Sequence, residues 1–318
     1  MGHPVGMLIK AWHRNLARGP ALFSKYYIEV ISLISRNVLP VALAIRVRNS
    51  ICGHQIEWPH TEFSARAVEL GNGTTVLLRP HIGEFDEGAL FFRKLEYEAS
   101  VFRWLSENAP DQYDTVIEVG ANVGVYTCFF DSLIRAEPHM RLKQVFAFEP
   151  SQEAFRRLMA NLAANNAQSI RPFNCALGDS MGFITFFEPP GHLTNGSFIR
   201  DFAAGFSQDV QSHSVICLEA AELGKLLQGT EKALIKIDVE GYEPQLLGAM
   251  REIIDRYEPD LLIEVLPDTV DAINSIAFLQ SYYRFLITDA GLLQHPKVHA
   301  DTVNRDWVFI RAKQGMTR

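Results

Sequence analysis

From residue 115 to near the carboxyl end, short apolar runs alternate with segments of helical spacing. Residues 115–119, 145–148, 233–239 and 261–265 are mostly apolar and rich in β-branched or aromatic side chains, and residues 170–175 read as a further strand despite Pro172. Runs of that length and composition predict strands buried on both faces of a parallel sheet. Between them, Phe155, Leu158, Met159 and Leu162 recur on a helical period, and Ser151 stands where it can cap that helix, which Asn165-Asn166 ends. Helices are also predicted over residues 219–227, 245–256 and 269–280. Residues 181–187 and 214–218 read as two extra strands, and residues 285–288 and 307–310 as an antiparallel pair closing the sheet. Alternating strands and helices imply right-handed crossovers and an α/β architecture.

Upstream the pattern changes. Two strand-like runs, residues 67–70 and 75–79, are split by Gly71-Asn72-Gly73 and predict a β-hairpin. Apolar positions from residue 88 to 105 approximate helical spacing. The chain therefore divides into residues 1–60, a mainly helical arm, residues 61–110, a hairpin and helix expected to cover the active site, and residues 111–318, the α/β domain. Residues 27–45 are apolar, but Glu29, Arg36, Asn37 and Pro40 argue against a membrane-spanning helix.

Candidate chemistry lies where the predicted strands end. The first is followed by Glu118-Val-Gly120-Ala121-Asn122-Val-Gly124, a glycine turn that brings backbone N–H groups close to a ligand. The dinucleotide fingerprint G-x-G-x-x-G is absent, since Asn122 stands at the middle glycine. Glu118, at the strand's carboxyl end, suits a ligand ammonium group and would repel a pyrophosphate; an ordinary βα turn is the alternative. Glu149, before Pro150-Ser151, is placed to accept from ribose hydroxyls or to serve as a solvated turn acid. Asp238 interrupts the apolar run 233–239, which is costly unless it meets a partner or ligand.

Taken in order, VIEVGANVGVYT, FAFEPSQEAFRRLMANLAANN, NCALGD, IKIDVEGYEPQLLGAM and LLIEV resemble the FkbM family of S-adenosylmethionine-dependent methyltransferases over roughly residues 114–265. The resemblance implies a class I methyltransferase, Rossmann-like fold with a mostly parallel seven-stranded sheet and helices on both faces, and methylation of a hydroxyl on a sugar, glycan or natural product. It implies S-adenosylmethionine as cofactor, with Glu118 on the methionine ammonium, Glu149 on the ribose, and Gly120, Ala121, Asn122 and Gly124 beneath it. Tyr126, Pro150, Ser151 and Asp238 join that set by the resemblance, and Ala176 and Leu177 fall beside the adenine. Tyr97-Glu98 occurs where the family carries an aromatic and an acid near the cofactor. Asp238 is the candidate base or acceptor-orienting group and Glu240 the second carboxylate, with Glu264 converging on the same cleft. His192, on a long polar loop over residues 191–211, is a mobile base candidate or an exposed loop histidine.

Composition narrows the remaining classes. At 47% apolar and 21% charged, the 318-residue chain reads as globular. Net charge is −7 but unevenly placed: residues 1–50 carry seven basic residues against Glu29 alone, and the rest 23 basic against 36 acidic. An acidic core argues against a nucleic-acid acceptor. The basic arm fits packing on the core or contact with an anionic membrane surface. Cys52, Cys128, Cys175 and Cys217 show no metal spacing, and Cys128 and Cys175 sit in apolar surroundings, which suits a reducing, cytoplasmic compartment. Metal-independent activity is expected. The competing reading is a non-catalytic relative of the fold that binds glycans or partner proteins.

Overall fold

The structure, a computed structural model, describes residues 21–52, 62–136, 138–190 and 192–312. Residues 1–20 and 53–60 of the predicted arm lie outside the described residues, as does Gly191 of the polar loop. The chain forms two compact units, Met1–Tyr97 and Glu98–Arg318.

In the first unit, helices α1 (Ala21–Asn37) and α2 (Val41–Cys52) are joined through Pro40. Ile28 and Ile51 pack with Phe63, Leu90 and Phe91 in a small core, the last two from the short helix α3 (Gly88–Phe91). The predicted hairpin forms as β1 (Arg66–Glu69) and β2 (Thr75–Leu78), paired antiparallel from Arg66↔Leu78 to Glu69↔Thr75. The helical pattern predicted from residue 88 breaks after Phe91 and resumes in the second unit as α4 (Ala99–Gln112).

The second unit is built on an eight-stranded sheet. Its parallel part comprises β3 (Thr115–Val119), β4 (Gln144–Phe148), β5 (Ile170–Phe173), β9 (Ala233–Ile237) and β10 (Asp260–Glu264). Helix α5 (Val125–Ala136) links β3 to β4, and α6 (Gln152–Asn165) links β4 to β5; Ser151 caps α6 by accepting from the Ala154 N–H at 3.2 Å, and Asn166 ends it in a left-handed turn. β6 (Ala176–Gly178), β7 (Gly182–Glu188) and β8 (Gln211–Glu219) form a separate three-stranded sheet, with α7 (Arg200–Ala204) in the long connection from β7 to β8. After α8 (Leu223–Leu226) and β9 come α9 (Glu243–Ala249) and α10 (Arg251–Tyr257), two helices broken at Met250 where one was predicted. The helix expected over 269–280 is reduced to α11 (Val270–Ser275), flanked by single 3₁₀ turns.

β11 (Tyr282–Thr288) and β13 (Asp306–Arg311) pair antiparallel as predicted. A strand that the sequence reading omitted, β12 (Gly291–His295), lies on the outer edge, so the sheet has eight strands rather than seven. Its side chains are half-buried or exposed, so no apolar alternation marks it. The order β12-β11-β13-β10-β9-β3-β4-β5 places β3 between β9 and β4. That is the doubly wound class I methyltransferase arrangement, and the chain reverses its direction of winding at β3.

Alternate residues of a strand face opposite sides of the sheet. Ile117, Ile235, Ile237 and Ile263 join one core with Leu246, Leu247, Met250 and Ile254 of α9 and α10. Glu118 and Lys236, paired in register on β3 and β9, face the other side, where α5 packs. Helices thus cover both faces, and the reversal at β3 falls at the carboxyl ends of β3 and β9, the place where such sheets bind ligands.

Candidate active site

The turn after β3 is shaped by its neighbours. Gly120 has φ +86°, and a Cβ there would lie 1.7 Å from the carbonyl oxygen of Asp238. Only glycine lets the β3 turn approach the end of β9 so closely. Gly124, at φ +83°, likewise faces the Leu158 side chain, which a Cβ would meet at 2.2 Å. Gly120 and Ala121 both donate their N–H to the Phe148 carbonyl at 3.0 Å, tying the turn to β4. Asn122 sits in the left-handed region at φ 49°, and its side-chain Oδ1 is buried with no hydrogen-bond partner. A buried, unsatisfied acceptor costs free energy until a donor reaches it.

Two glutamates flank this turn. Glu118 is 1% exposed and accepts from Thr127 Oγ1 at 2.8 Å. Burial pushes its carboxyl up to about 7, against the opposing charge of Lys236 and the Thr127 hydrogen bond. Glu149 accepts from Ser151 N–H through Oε1 and from Asn122 N–H through Oε2, each at 2.7 Å. It therefore clasps the turns after β3 and β4 together, and burial pushes it up to about 7 despite these two bonds. Ser151 Oγ donates to Glu188 at 2.9 Å, and Asn174 Nδ2 donates to the Glu149 carbonyl at 2.8 Å. Pro150 lies in the same turn. Ala176 and Leu177 are buried in β6, paired with Cys217 and Leu218 of β8.

Asp238 ends β9, and its N–H donates to the Val119 carbonyl at 3.0 Å. Its partner is a residue that sequence reading passed over. Lys236 is 5% exposed, and its Nζ stands 2.9 Å from Asp238 Oδ2 and 4.5 Å from the Tyr126 ring centre. Burial works against the ammonium, but Asp238, Glu98 and Glu118 more than offset it and raise its pKa. The converse holds for Asp238: burial would raise it, yet Lys236 wins and holds the carboxyl below its ordinary value. Tyr126 donates its hydroxyl to Glu98, while Tyr97 packs on Phe85 at 4.9 Å within the first unit.

The acids beyond Asp238 behave differently. Glu240 takes φ 53°, a strained conformation for a side chain of this size, next to Gly241 at φ 94°. Burial, with Asp238 and Glu243 nearby, pushes Glu240 up to about 9. Glu264, at the end of β10, is 7% exposed and paired with Arg305 Nε at 2.9 Å, and burial with Asp238 and Glu240 nearby raises it well above the usual range. Asp306, its register partner on β13, is pushed up to about 8 by burial and by Glu98. Glu243, fully buried, accepts from Val239 and Gly241 N–H at 3.2 and 3.1 Å and so fixes the turn that carries Glu240. Lys236, Arg305, Asp306 and Glu243 were all missed in the sequence. A lysine inside an apolar run was the one available signal.

One oxygen each from Asp238, Glu240 and Glu264 falls within 4.8 Å of the others, a spacing that a cation can bridge. Lys236 and Arg305 already bring positive charge to two of the three. The β7–β8 connection is pinned to this turn: Ser197, fully buried, donates its Oγ to the Glu240 carbonyl at 2.8 Å. The structure places His192 in that connection, its ring 6.0 Å from Phe206, and brings it into no described contact with the carboxylates.

The methyltransferase FkbM domain profile matches residues 118–288, more than half of the chain. No curated protein matches significantly. Among solved structures, the chain is similar to an FkbM methyltransferase from Methylobacillus flagellatus at 18% identity and a TM-score of 0.38, over 63% of this chain and 44% of that one. It thus spans less than half the length of that protein. A putative methyltransferase from Streptococcus mutans in complex with S-adenosylhomocysteine is 15% identical, with a TM-score of 0.37 over 67% and 96% of the two chains. An S-adenosylmethionine-dependent methyltransferase from Agrobacterium tumefaciens is 11% identical, with a TM-score of 0.39 over 80% and 72%. The profile match begins at Glu118 and runs through the Gly120 turn, Glu149, Asp238 and Glu264, so that the chain belongs to the FkbM methyltransferase family, whose methyl donor is S-adenosylmethionine.

Proposed function

We propose that the protein methylates a hydroxyl oxygen of a sugar, a glycan or a hydroxyl-bearing natural product. The observation that carries this reading is a carboxylate, Asp238, kept charged by a buried lysine and borne on backbone that lies against the Gly120 turn. S-adenosylmethionine, when bound, supplies an electrophilic methyl group. The residues present fit it: Asn122 Oδ1 is a buried acceptor without a donor, and Glu118 and Glu149 are acceptors at the two neighbouring strand ends. Glu118 would receive the methionine ammonium and Glu149 the ribose hydroxyls, with Gly120, Ala121, Asn122 and Gly124 forming the floor.

Asp238 would orient the acceptor hydroxyl and take the proton it loses when the methyl group passes from sulfur to oxygen. Lys236 keeps Asp238 ionised through the neutral range, and a positioned base of this kind contributes about 10²–10⁴-fold. Glu240, held up to about 9 by burial, carries its proton at neutral pH and can donate a hydrogen bond to a second acceptor oxygen, while burial raises Glu264 beside it. Neighbouring sugar hydroxyls suit such an alternation of donor and acceptor carboxyls, whereas a phosphate-bearing acceptor would meet repulsion. The four free cysteines fit a reducing, cytoplasmic compartment.

Calorimetric titration with S-adenosylmethionine, on the native protein and on Glu149→Ala, tests the cofactor site. Binding that weakens in the variant is expected. An acceptor screen read by mass then tests the chemistry. Methyl transfer to nitrogen or carbon, or an Asp238→Asn variant with full turnover, would overturn the proposal.

A further inference from the structure

Among the described residues, eight of the fifteen exposed large hydrophobic side chains fall within residues 26–45. On α1 they are Tyr26, Val30, Leu33 and Ile34, spaced to form one stripe. Ile28, Ser32 and Ser35 occupy the opposite face and are buried in the first unit. On α2, Val41 and Ile45 continue the exposed surface, and Val38 and Val41, at the joint between the helices, are 73% and 68% exposed.

Three charged residues of this hairpin are engaged within the first unit. Glu29 pairs with Arg66, Arg48 Nε bonds Glu87 at 2.8 Å, and Arg36 donates to the Ala89 carbonyl at 2.8 Å. The joint is closed in its backbone too: Val38 and Leu39 N–H donate to the Ile34 carbonyl, and Leu43 and Ala44 N–H to the Pro40 carbonyl. Each amide so paired is one fewer bare polar group when the tip enters an apolar medium. Lys25 is half-buried and Arg46 is exposed.

We infer that the α1–α2 hairpin docks on an anionic lipid surface, with Val38 and Val41 inserted at the headgroup boundary. Charge selects this occupant. Residues 1–50 carry seven basic residues against one acid, which attracts anionic headgroups. A second copy meeting the same patch across a two-fold axis would face that excess with its own. No helix of the described residues is long and apolar enough to cross a membrane, so the hairpin lies on the surface.

The test is sedimentation of the full chain with vesicles of phosphatidylcholine and phosphatidylglycerol in equal parts, against phosphatidylcholine alone. The wild type is expected to pellet with the anionic vesicles only. Val38→Asp with Val41→Asp should remain in solution, and Lys25→Glu with Arg46→Glu should bind about tenfold more weakly or worse. Both variants change side chains at the surface, and an unaltered thermal melt establishes that they fold. Wild type that stays in solution, or either double variant that pellets like wild type, would overturn the inference. So would a wild-type dimer that Val38→Asp with Val41→Asp converts to a monomer, which would assign the stripe to a second copy.

Discussion

Gly120→Ala should cost the protein both stability and activity, for reasons that can be separated. Gly229, at φ +79° with nothing within 4 Å of its missing Cβ, isolates the backbone cost of a side chain in the left-handed region. That cost is about 1–2 kcal/mol. Gly120, at φ +86°, bears the same cost and adds a steric one. Its Cβ would stand 1.7 Å from the Asp238 carbonyl oxygen, where real contacts do not fall under 3.0 Å, and the obstacle is backbone. The ends of β3 and β9 must therefore part by roughly an ångström. Overpacking of this kind costs about 1–3 kcal/mol more. At about 2–4 °C per kcal/mol, Gly229→Ala should melt about 3–6 °C below wild type and Gly120→Ala about 10 °C below it. Displacing Asp238 by that distance should also reduce turnover about a hundredfold. Thermal melts of both variants, with turnover measured well below the melting range, make the comparison. Equal melting points, or a Gly120→Ala enzyme with normal turnover, would refute the claim that Asp238's backbone requires a glycine at 120.

Other outcomes follow from the charges. Glu118 and Glu149, raised from 4.5 to about 7, bind protons in the folded protein that the unfolded chain has released. Their contribution to stability is complete below about pH 4.5 and is lost as pH rises towards 7, so melting temperature should fall between about pH 5 and pH 8, and a flat profile would contradict it. Glu153, held at about 2 by Arg156 and Arg157 against the effect of burial, acts oppositely and loses its contribution only below its unfolded value. Lys236→Met should reduce turnover strongly by removing the ion-pair partner of Asp238; a pH-dependence of the residual rate displaced upwards is the expected signature, and unchanged kinetics would count against Lys236. Asn122→Ala should weaken S-adenosylmethionine binding about fivefold or more, the cost of one lost buried hydrogen bond, and unaltered affinity would remove Oδ1 from the site. Activity should survive EDTA; loss with recovery in Mg²⁺ would assign a cation to Asp238, Glu240 and Glu264.

Much of this was legible because buried parallel strands are written locally. The runs 115–119 and 261–265 coincide with β3 and β10, and Ser151 caps its helix as its position predicts. β12 escaped notice because an edge strand with no buried face carries no period to read. The break at Met250 is equally silent, since the apolar period continues through both helices. At the site, Glu118, Glu149 and Asp238 were legible as acids at strand ends. Lys236 was not, because what makes it useful lies far away in sequence: Glu98 before β3, Tyr126 on α5 and Glu118 on the neighbouring strand. His192 illustrates the reverse, a residue type suited to the chemistry that the fold seats beside Phe206 instead.

The Ser197 pin gives the β7–β8 connection an anatomy. Ser197 exchanges backbone hydrogen bonds with Phe187 and holds the Glu240 carbonyl, so the connection is fastened at its midpoint as well as at its two strands. It behaves as two short loops in series. Either can gain or lose residues without transmitting the change to the other or to the turn that carries Glu240. Closure cost grows slowly with loop length, so insertions in one loop are cheap. The pin thus lets the connection change in length while the turn that carries Glu240 stays in place.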